Sequence, residues 1–204
     1  MSPLRSEEKR ALLEIARQSI SRIVEEQREL PVSSPEGELA RPSGAFVTLR
    51  LRGRLRGCIG RMESDEPLAE VVSHCAAAAA TEDPRFAPMQ RDELRELGIE
   101  ISVLSPLEIA RPEQVEPGKH GLLISRGYLR GVLLPQVATE HRWTRERFLE
   151  ETCIKGGLGP EAWKDAETKI EIFTAEIFSE SEFRESKSAN RNPDSALPHH
   201  STSQ

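Results

Sequence analysis

Residues 44–60 read GAFVTLRLRGRLRGCIG and decide the fold of the surrounding chain. Apolar side chains alternate with polar ones on both sides of Gly53, which is typical of two strands joined by a tight turn. The second half of the stretch, Leu55–Gly60, places Cys58 between two glycines. The sequence therefore predicts a β-hairpin that carries a thiol on its second strand.

The length of the hairpin turn decides which side chains share a face of the sheet. A three-residue loop over Leu51–Gly53, with its glycine in the left-handed conformation, keeps the apolar odd-numbered residues on one face. We predict this loop. A two-residue Arg52–Gly53 turn is the alternative, and it would mix apolar and charged side chains on one face.

Cys58 is the candidate reactive group of the hairpin. In either register its side chain shares a face with Arg56, while Leu55 and Ile59 point to the opposite face. A guanidinium group near a thiol stabilises the thiolate. Alternatively, Cys58 is a small buried side chain without reactivity, since free cysteine is among the most buried residue types. The sequence leaves both interpretations open.

The composition indicates a globular protein with an acidic balance of charge. The chain has 204 residues, of which 37% are hydrophobic and 30% charged, and a formal net charge of −6. This balance argues against nucleic-acid binding. The arginines of the hairpin form one basic patch, which suits a small anionic ligand or an acidic peptide. A solvated arginine ladder that prevents edge pairing is an equal alternative.

Cysteine usage and the N-terminus indicate where the protein works. Three cysteines without a Cys-x-x-Cys spacing predict neither a disulfide framework nor a metal site. The chain is therefore expected to stay reduced, in the cytoplasm. The N-terminus lacks the segments of a signal peptide, and no apolar run has the length of a membrane span. The sequence identifies no cofactor.

The rest of the chain predicts both helices and antiparallel strands. The predicted elements are a helix over 6–28, a helix from about 64 to 80, a strand over 98–106, a hairpin over 122–135 and a strand over 169–178. In the second hairpin, Leu129-Arg130-Gly131 repeats the Leu-Arg-Gly of the first. Residues 180–204 are polar without apolar partners, which predicts a disordered tail. We expect residues 1–179 to form a single α+β folding unit.

Two segments outside the hairpin supply candidate polar groups. Pro84 holds Asp83 and Arg85 in a rigid turn after the second helix. Glu100 is a carboxylate in the middle of a strand. The structural alternatives are that Asp83 bonds its local backbone and that Glu100 pairs with an arginine on the neighbouring strand.

Five ordered motifs together resemble the AMMECR domain family, whose bacterial and archaeal members are called AmmeMemoRadiSam system protein A. The motifs are LRGCIG at 55–60, EDPRF at 82–86, EISVLSP at 100–106, LLPQV at 133–137 and CIKGGL at 153–158. The resemblance covers roughly residues 8–178. It implies an α+β fold with two lobes, built on antiparallel β-sheet with flanking helices.

The resemblance also implies partners and site residues. Members of the family are associated with Memo-like proteins and with a radical S-adenosylmethionine protein, and the family has no agreed reaction. Its recurrent polar positions correspond here to Arg56, Cys58, Asp83, Arg85, Glu100, Gln136 and Glu140. The family therefore implies a site without naming its chemistry.

Two functions are compatible with these residues. In the first, which we prefer, the chain is a binding component whose Leu55–Gly60 segment holds a ligand or a partner peptide. Its candidate binding residues are Arg54, Arg56, Gly57, Cys58, Gly60, Arg85, Gln136 and Glu140. In the second, the chain is an enzyme in which Cys58 is the nucleophile, Arg56 lowers its pKa, and Glu100 or Asp83 transfers protons.

Overall fold

The structure, a computed structural model, describes residues 3–183. The helices are α1 (Ser6–Glu26), α2 (Leu68–Thr81), α3 (Pro135–Glu140) and α4 (Arg145–Lys155). The strands are β1 (Ala45–Leu51), β2 (Arg54–Arg61), β3 (Leu97–Leu104), β4 (Glu108–Ile109), β5 (Gly121–Arg126), β6 (Leu129–Leu133), β7 (Lys169–Phe173) and β8 (Ala175–Ser179). Short 3-10 turns connect several of them.

The strands form two antiparallel sheets of four strands each. The order is β2-β1-β3-β8 in the first sheet and β4-β7-β5-β6 in the second. Helices α1 and α2 pack on the first sheet, and α4 packs on the second. Each lobe has its own buried apolar cluster. The expected α+β fold with two lobes is therefore confirmed.

The second lobe is inserted between two strands of the first. The chain leaves the first sheet after β3 and returns to it only with β8. Where the two connections pass each other, the Ser105 N–H donates to the Thr174 carbonyl at 2.9 Å, and the Thr174 N–H donates to Ser105 Oγ at 2.9 Å. These two hydrogen bonds join the connections at the boundary of the lobes.

The first hairpin has a two-residue turn, so the predicted three-residue loop is wrong. Leu51 pairs with Arg54, and Arg52 and Gly53 have φ angles of 50° and 79°. Positive φ at both positions is typical of the type I′ turn, which matches the twist of the strands. The mixed faces expected of this turn occur in its first two pairs, Leu51 with Arg54 and Arg50 with Leu55, and end where the register shifts.

A bulge on β2 produces this register shift. Leu49 pairs with Gly57 and Arg50 with Leu55, which leaves Arg56 as the additional residue of β2. Leu55 therefore lies opposite Arg50 and is 39% exposed, whereas Ile59 packs against the core. The prediction that Leu55 shares the buried face with Ile59 is wrong, because the bulge restores alternation only beyond it.

In both hairpins, a helix packs directly against the glycine of the Leu-Arg-Gly repeat. A Cβ atom on Gly57 would lie 2.1 Å from the Ala79 carbonyl oxygen of α2. A Cβ atom on Gly131 would lie 1.9 Å from the Thr152 carbonyl oxygen of α4. The repeat therefore marks the position at which a helix backbone meets a hairpin backbone.

The described chain extends past the predicted start of the tail. Glu180 forms an ion pair with Arg17 of α1, and Phe183 packs against the first core. The remainder of the predicted disordered tail, residues 184–204, lies outside the described residues. Within residues 3–183, no helix combines the length and apolar character needed to span a membrane.

Candidate functional site

Asp83 is the centre of the site. It follows α2, is only 5% exposed, and its Oδ2 accepts the Cys58 N–H of β2 at 2.8 Å. The Arg85 side chain donates from Nε to Oδ1 at 2.9 Å and from Nη2 to Oδ2 at 2.7 Å. The Arg85 N–H also donates to Oδ1, at 3.1 Å. Asp83 thus ties the turn after α2 to the outer edge of β2.

These hydrogen bonds keep Asp83 ionised. The Arg85 side chain holds the pKa of Asp83 well below its usual range, with further lowering by the N–H groups of Cys58 and Arg85, while burial opposes the shift. The same pair raises the pKa of Arg85. A carboxylate held in this way is a positioning group and a poor general base, since it has little affinity for a proton.

Arg85 is held firmly but still faces solvent. Its side chain is 54% exposed, and its Nη2 also lies 3.4 Å from the Cys58 carbonyl oxygen. The Phe86 ring lies 5.5 Å from the guanidinium carbon. Among residues 3–183, nothing accepts a hydrogen bond from Arg85 Nη1. We call the group Cys58, Asp83 and Arg85 the anion site.

Cys58 lies on the edge strand of the first sheet and is partly exposed. Thr48 is directly opposite on β1, and its hydroxyl donates to Cys58 Sγ at 3.3 Å. Glu100 is opposite Thr48 on β3. Glu100 therefore shares the row of Cys58 but is two strand spacings away, about 10 Å, too far for direct proton transfer.

Arg56 is occupied by a different carboxylate. It donates to Glu93 from Nε at 2.7 Å and from Nη2 at 2.9 Å, and the two side chains are 15% and 18% exposed. This pairing raises the pKa of Arg56 and lowers that of Glu93. Sequence proximity pointed to Arg56 as the cation beside Cys58, whereas the structure brings Arg85 there.

The other predicted site residues divide between the two lobes. Arg54 is exposed at the start of β2, and Gly60 lies near its end. Gln136 and Glu140 are on α3 of the second lobe. Neither forms a hydrogen bond or ion pair with Leu55–Gly60 in the described chain, and Gln136 Oε1 is buried without a partner there. The structure therefore does not bring these two residues into the anion site.

Sequence reasoning missed Thr48 and Glu93. Thr48 is identified only by the strand register, which requires the correct turn and bulge. Glu93 is 37 residues from Arg56, and no local pattern links the two. Between residues 3 and 183 there is no cluster of three or more His, Cys, Asp or Glu side chains that could hold a metal ion.

The three cysteines are expected to differ strongly in reactivity. Burial raises the pKa of Cys75 to about 11 and also raises that of Cys153, and both are buried while Cys58 is partly exposed. Because the thiolate is the reacting form, iodoacetamide at pH 8 should modify Cys58 about a hundredfold faster than Cys75 and Cys153. Mass spectrometry measures the three rates. Equal rates for the three cysteines in folded protein would contradict this placement.

Comparison with known proteins identifies the family. The family described as AMMECR1 matches residues 13–178. A protein of Methanothermobacter thermautotrophicus is 42% identical over 187 residues, 88% of this chain and 97% of that protein. Protein TK0174 of Thermococcus kodakarensis is 43% identical, over 83% of this chain and 88% of its own length. The crystal structure of uncharacterized protein PH0010 from Pyrococcus horikoshii, 40% identical, superposes with a TM-score of 0.78, covering 83% of this chain and 89% of that one. This chain therefore belongs to the AMMECR1 family.

Proposed function

We propose that this protein is a binding component that holds an anionic group of a ligand or partner at the anion site. The observation that carries the proposal is the geometry of Arg85. A buried carboxylate fixes its guanidinium beside Cys58, the side chain is half exposed, and no group of residues 3–183 accepts a hydrogen bond from Nη1. A preorganised guanidinium binds carboxylate or phosphate with little further loss of side-chain entropy.

The charges of the hairpin support an anionic ligand. Arg52, Arg56 and Arg61 are each paired with a glutamate. In the described chain, Arg50 and Arg54 form no ion pair, so they leave positive charge on the hairpin. Because Asp83 and Arg85 neutralise each other, this additional charge offsets Glu82, which adjoins Asp83, and adds to the hydrogen bonding that Arg85 offers an anion.

The proposed setting follows from the family and from the cysteines. We propose a Memo-like protein or a radical S-adenosylmethionine protein as the partner that presents the anionic group. We place this association in the cytoplasm, where the free thiols of Cys58, Cys75 and Cys153 persist.

Substitution Arg85→Gln tests the anion site. Inorganic phosphate is titrated into isotope-labelled protein, and the amide signals of Cys58 and Arg85 are followed by NMR. We expect Arg85→Gln to weaken phosphate binding at least about tenfold, since it removes a charged donor worth more than about 1.4 kcal/mol. Arg91→Gln, an exposed arginine paired with Glu25, is the control and should change nothing. Unchanged affinity in Arg85→Gln would refute the proposal.

The second candidate function, an enzyme with Cys58 as nucleophile, is favoured by the contacts of its sulfur. The Thr48 hydroxyl bonds Sγ, and the Arg85 guanidinium lies beside the residue. The weakness is the proton acceptor: in residues 3–183 no histidine bonds Cys58, and His74 is paired with Glu66. Cys58→Ser should leave phosphate affinity within about twofold in the binding function, whereas an enzyme would lose its turnover.

A further inference from the structure

The edge of the first sheet has an open backbone position beside the anion site. Cys58 donates its N–H outward to Asp83, so its pair with Thr48 is of the type that is not hydrogen-bonded across the strands. The same orientation returns two residues later, at Gly60, which pairs with Phe46. In the described chain, neither the N–H nor the carbonyl of Gly60 has a partner. Such an edge is a template for an added strand.

A cavity of about 420 Å³ adjoins this open position. Gly60 lines it together with the apolar side chains of Ile23, Ile59 and Ala78. Glu29 and Glu82 also line it and form no ion pair in the described chain, whereas the lining Arg61 and His74 both contact Glu66. The cavity therefore offers apolar walls and negative charge, which suits a long side chain with an apolar stem and a cationic end.

We propose, building on the anion-binding function above, that β2 and this cavity bind the extended C-terminal segment of a partner protein. The segment adds antiparallel to the edge of β2. One of its residues exchanges two hydrogen bonds with Gly60. Its terminal carboxylate lies at the level of Cys58, where Arg85 Nη1 donates to it.

The blocked position at Cys58 is the reason for choosing a chain terminus. Asp83 already accepts the outward N–H of Cys58, and Arg85 Nη2 already contacts the Cys58 carbonyl oxygen. A longer strand has no pairing partner there. In an antiparallel strand, the residue after the one paired with Gly60 advances by about 3.4 Å toward Cys58. A peptide that ends at this residue brings its carboxylate to the guanidinium.

Side-chain direction gives the preferred sequence of the segment. Residues paired directly across strands share a face, and Gly60 shares the face of Phe46, away from α2. The residue preceding the paired one therefore points toward α2 and into the cavity. This residue lies directly opposite Arg61, whose guanidinium is engaged by Glu66, and lysine or arginine there would approach Glu29 and Glu82. The structure therefore favours a basic residue two positions before the C-terminal residue.

The test uses the peptide acetyl-Ala-Val-Lys-Val-Ala with a free carboxyl terminus. Its fourth residue is placed to pair with Gly60 and its lysine to enter the cavity. In the free protein, the Gly60 amide should exchange its hydrogen much faster than the Ile59 amide, which faces Val47 of β1. Saturation with the peptide should slow exchange at Gly60 at least about tenfold, as measured by NMR.

Two matched peptides separate the parts of the proposal. A C-terminal amide removes the carboxylate, and N-methylation of the fourth residue removes the N–H that donates to the Gly60 carbonyl. Each change should weaken binding about tenfold, and replacement of the lysine by glutamate should weaken it further. Equal affinity of the acid and the amide, or unchanged exchange at Gly60 under saturation, would overturn the proposal.

The phosphate titration distinguishes this failure from failure of the proposed function. If phosphate binds with dependence on Arg85 while the peptide does not slow exchange at Gly60, the peptide proposal is wrong and the anion site stands. If the peptide binds Arg85→Gln as tightly as it binds the original protein, the carboxylate does not contact Arg85, and the peptide proposal is again overturned.

Discussion

Asp83→Ala should destabilise the protein by about 2–3 kcal/mol. The buried carboxylate accepts hydrogen bonds from the Cys58 N–H and from three donors of Arg85. Loss of a buried ion pair can cost more, but the Arg85 side chain is 54% exposed and can be hydrated after the change. Without Asp83 the guanidinium also loses its fixed position beside Cys58.

Urea unfolding measures this loss, with Glu96→Ala as the matched control. Glu96 pairs with Arg52 on the same hairpin, but both side chains are at least half exposed. The control should therefore cost less than about 1 kcal/mol. If Asp83→Ala costs no more than Glu96→Ala, Asp83 does not anchor the turn after α2 to the sheet.

Acid should narrow the difference in unfolding free energy between Asp83→Ala and the original protein. The folded pKa of Asp83 lies below its unfolded value of about 3.9. The stabilisation from Asp83 is therefore complete above about pH 4 and is lost as the pH falls toward the folded pKa. The gap between the unfolding free energies of the two proteins should narrow from pH 6 to pH 2.5, and a constant gap would contradict the lowered pKa.

Gly57→Ala should destabilise the first lobe by about 3 kcal/mol or more. The added Cβ would lie 2.1 Å from the Ala79 carbonyl oxygen and 3.1 Å from its carbon. Both atoms belong to the backbone of α2, so relief requires movement of the whole helix away from the hairpin. Because α2 also leads into Asp83, such a movement would weaken phosphate binding as well.

Gly98→Ala is the control for Gly57→Ala in the same sheet. A Cβ atom on Gly98 has its nearest neighbour at 3.8 Å, so the change should alter the free energy of unfolding by less than about 1 kcal/mol. Gly131→Ala should behave like Gly57→Ala, because the Thr152 carbonyl oxygen occupies the same space in the second lobe. The stability losses are measured by thermal unfolding. Equal losses for Gly98→Ala and Gly57→Ala would show that α2 does not pack tightly against the hairpin.

The sequence predicts those parts of the fold that depend on local alternation. The hairpin and the strand around Glu100 are both present, with Ile99, Ile101 and Val103 buried on one face as the pattern requires. The turn length could not be obtained in the same way. One additional residue in a bulge compensates for a shorter turn, so parity of apolar positions does not distinguish the two.

The allocation of charges in the site could not be predicted. Arg56 is only two residues from Cys58, yet its guanidinium pairs with Glu93. Arg85 is 27 residues from Cys58, yet it reaches the Cys58 carbonyl oxygen. The turn that contains Asp83 and Arg85 was predicted from Pro84, but its position in space depends on the length of α2. Ion pairs between residues far apart in the chain produce no periodic pattern in a single sequence.

The insertion of the second lobe sets the order in which the sheets can be completed during synthesis. All four strands of the second sheet have been synthesised once Phe173 is added, whereas the first sheet still lacks β8. Until then, the β3 edge that will pair with β8 remains open, and Leu4 cannot yet donate to Glu176. The nascent chain therefore carries an unfinished N-terminal lobe that its last strand closes.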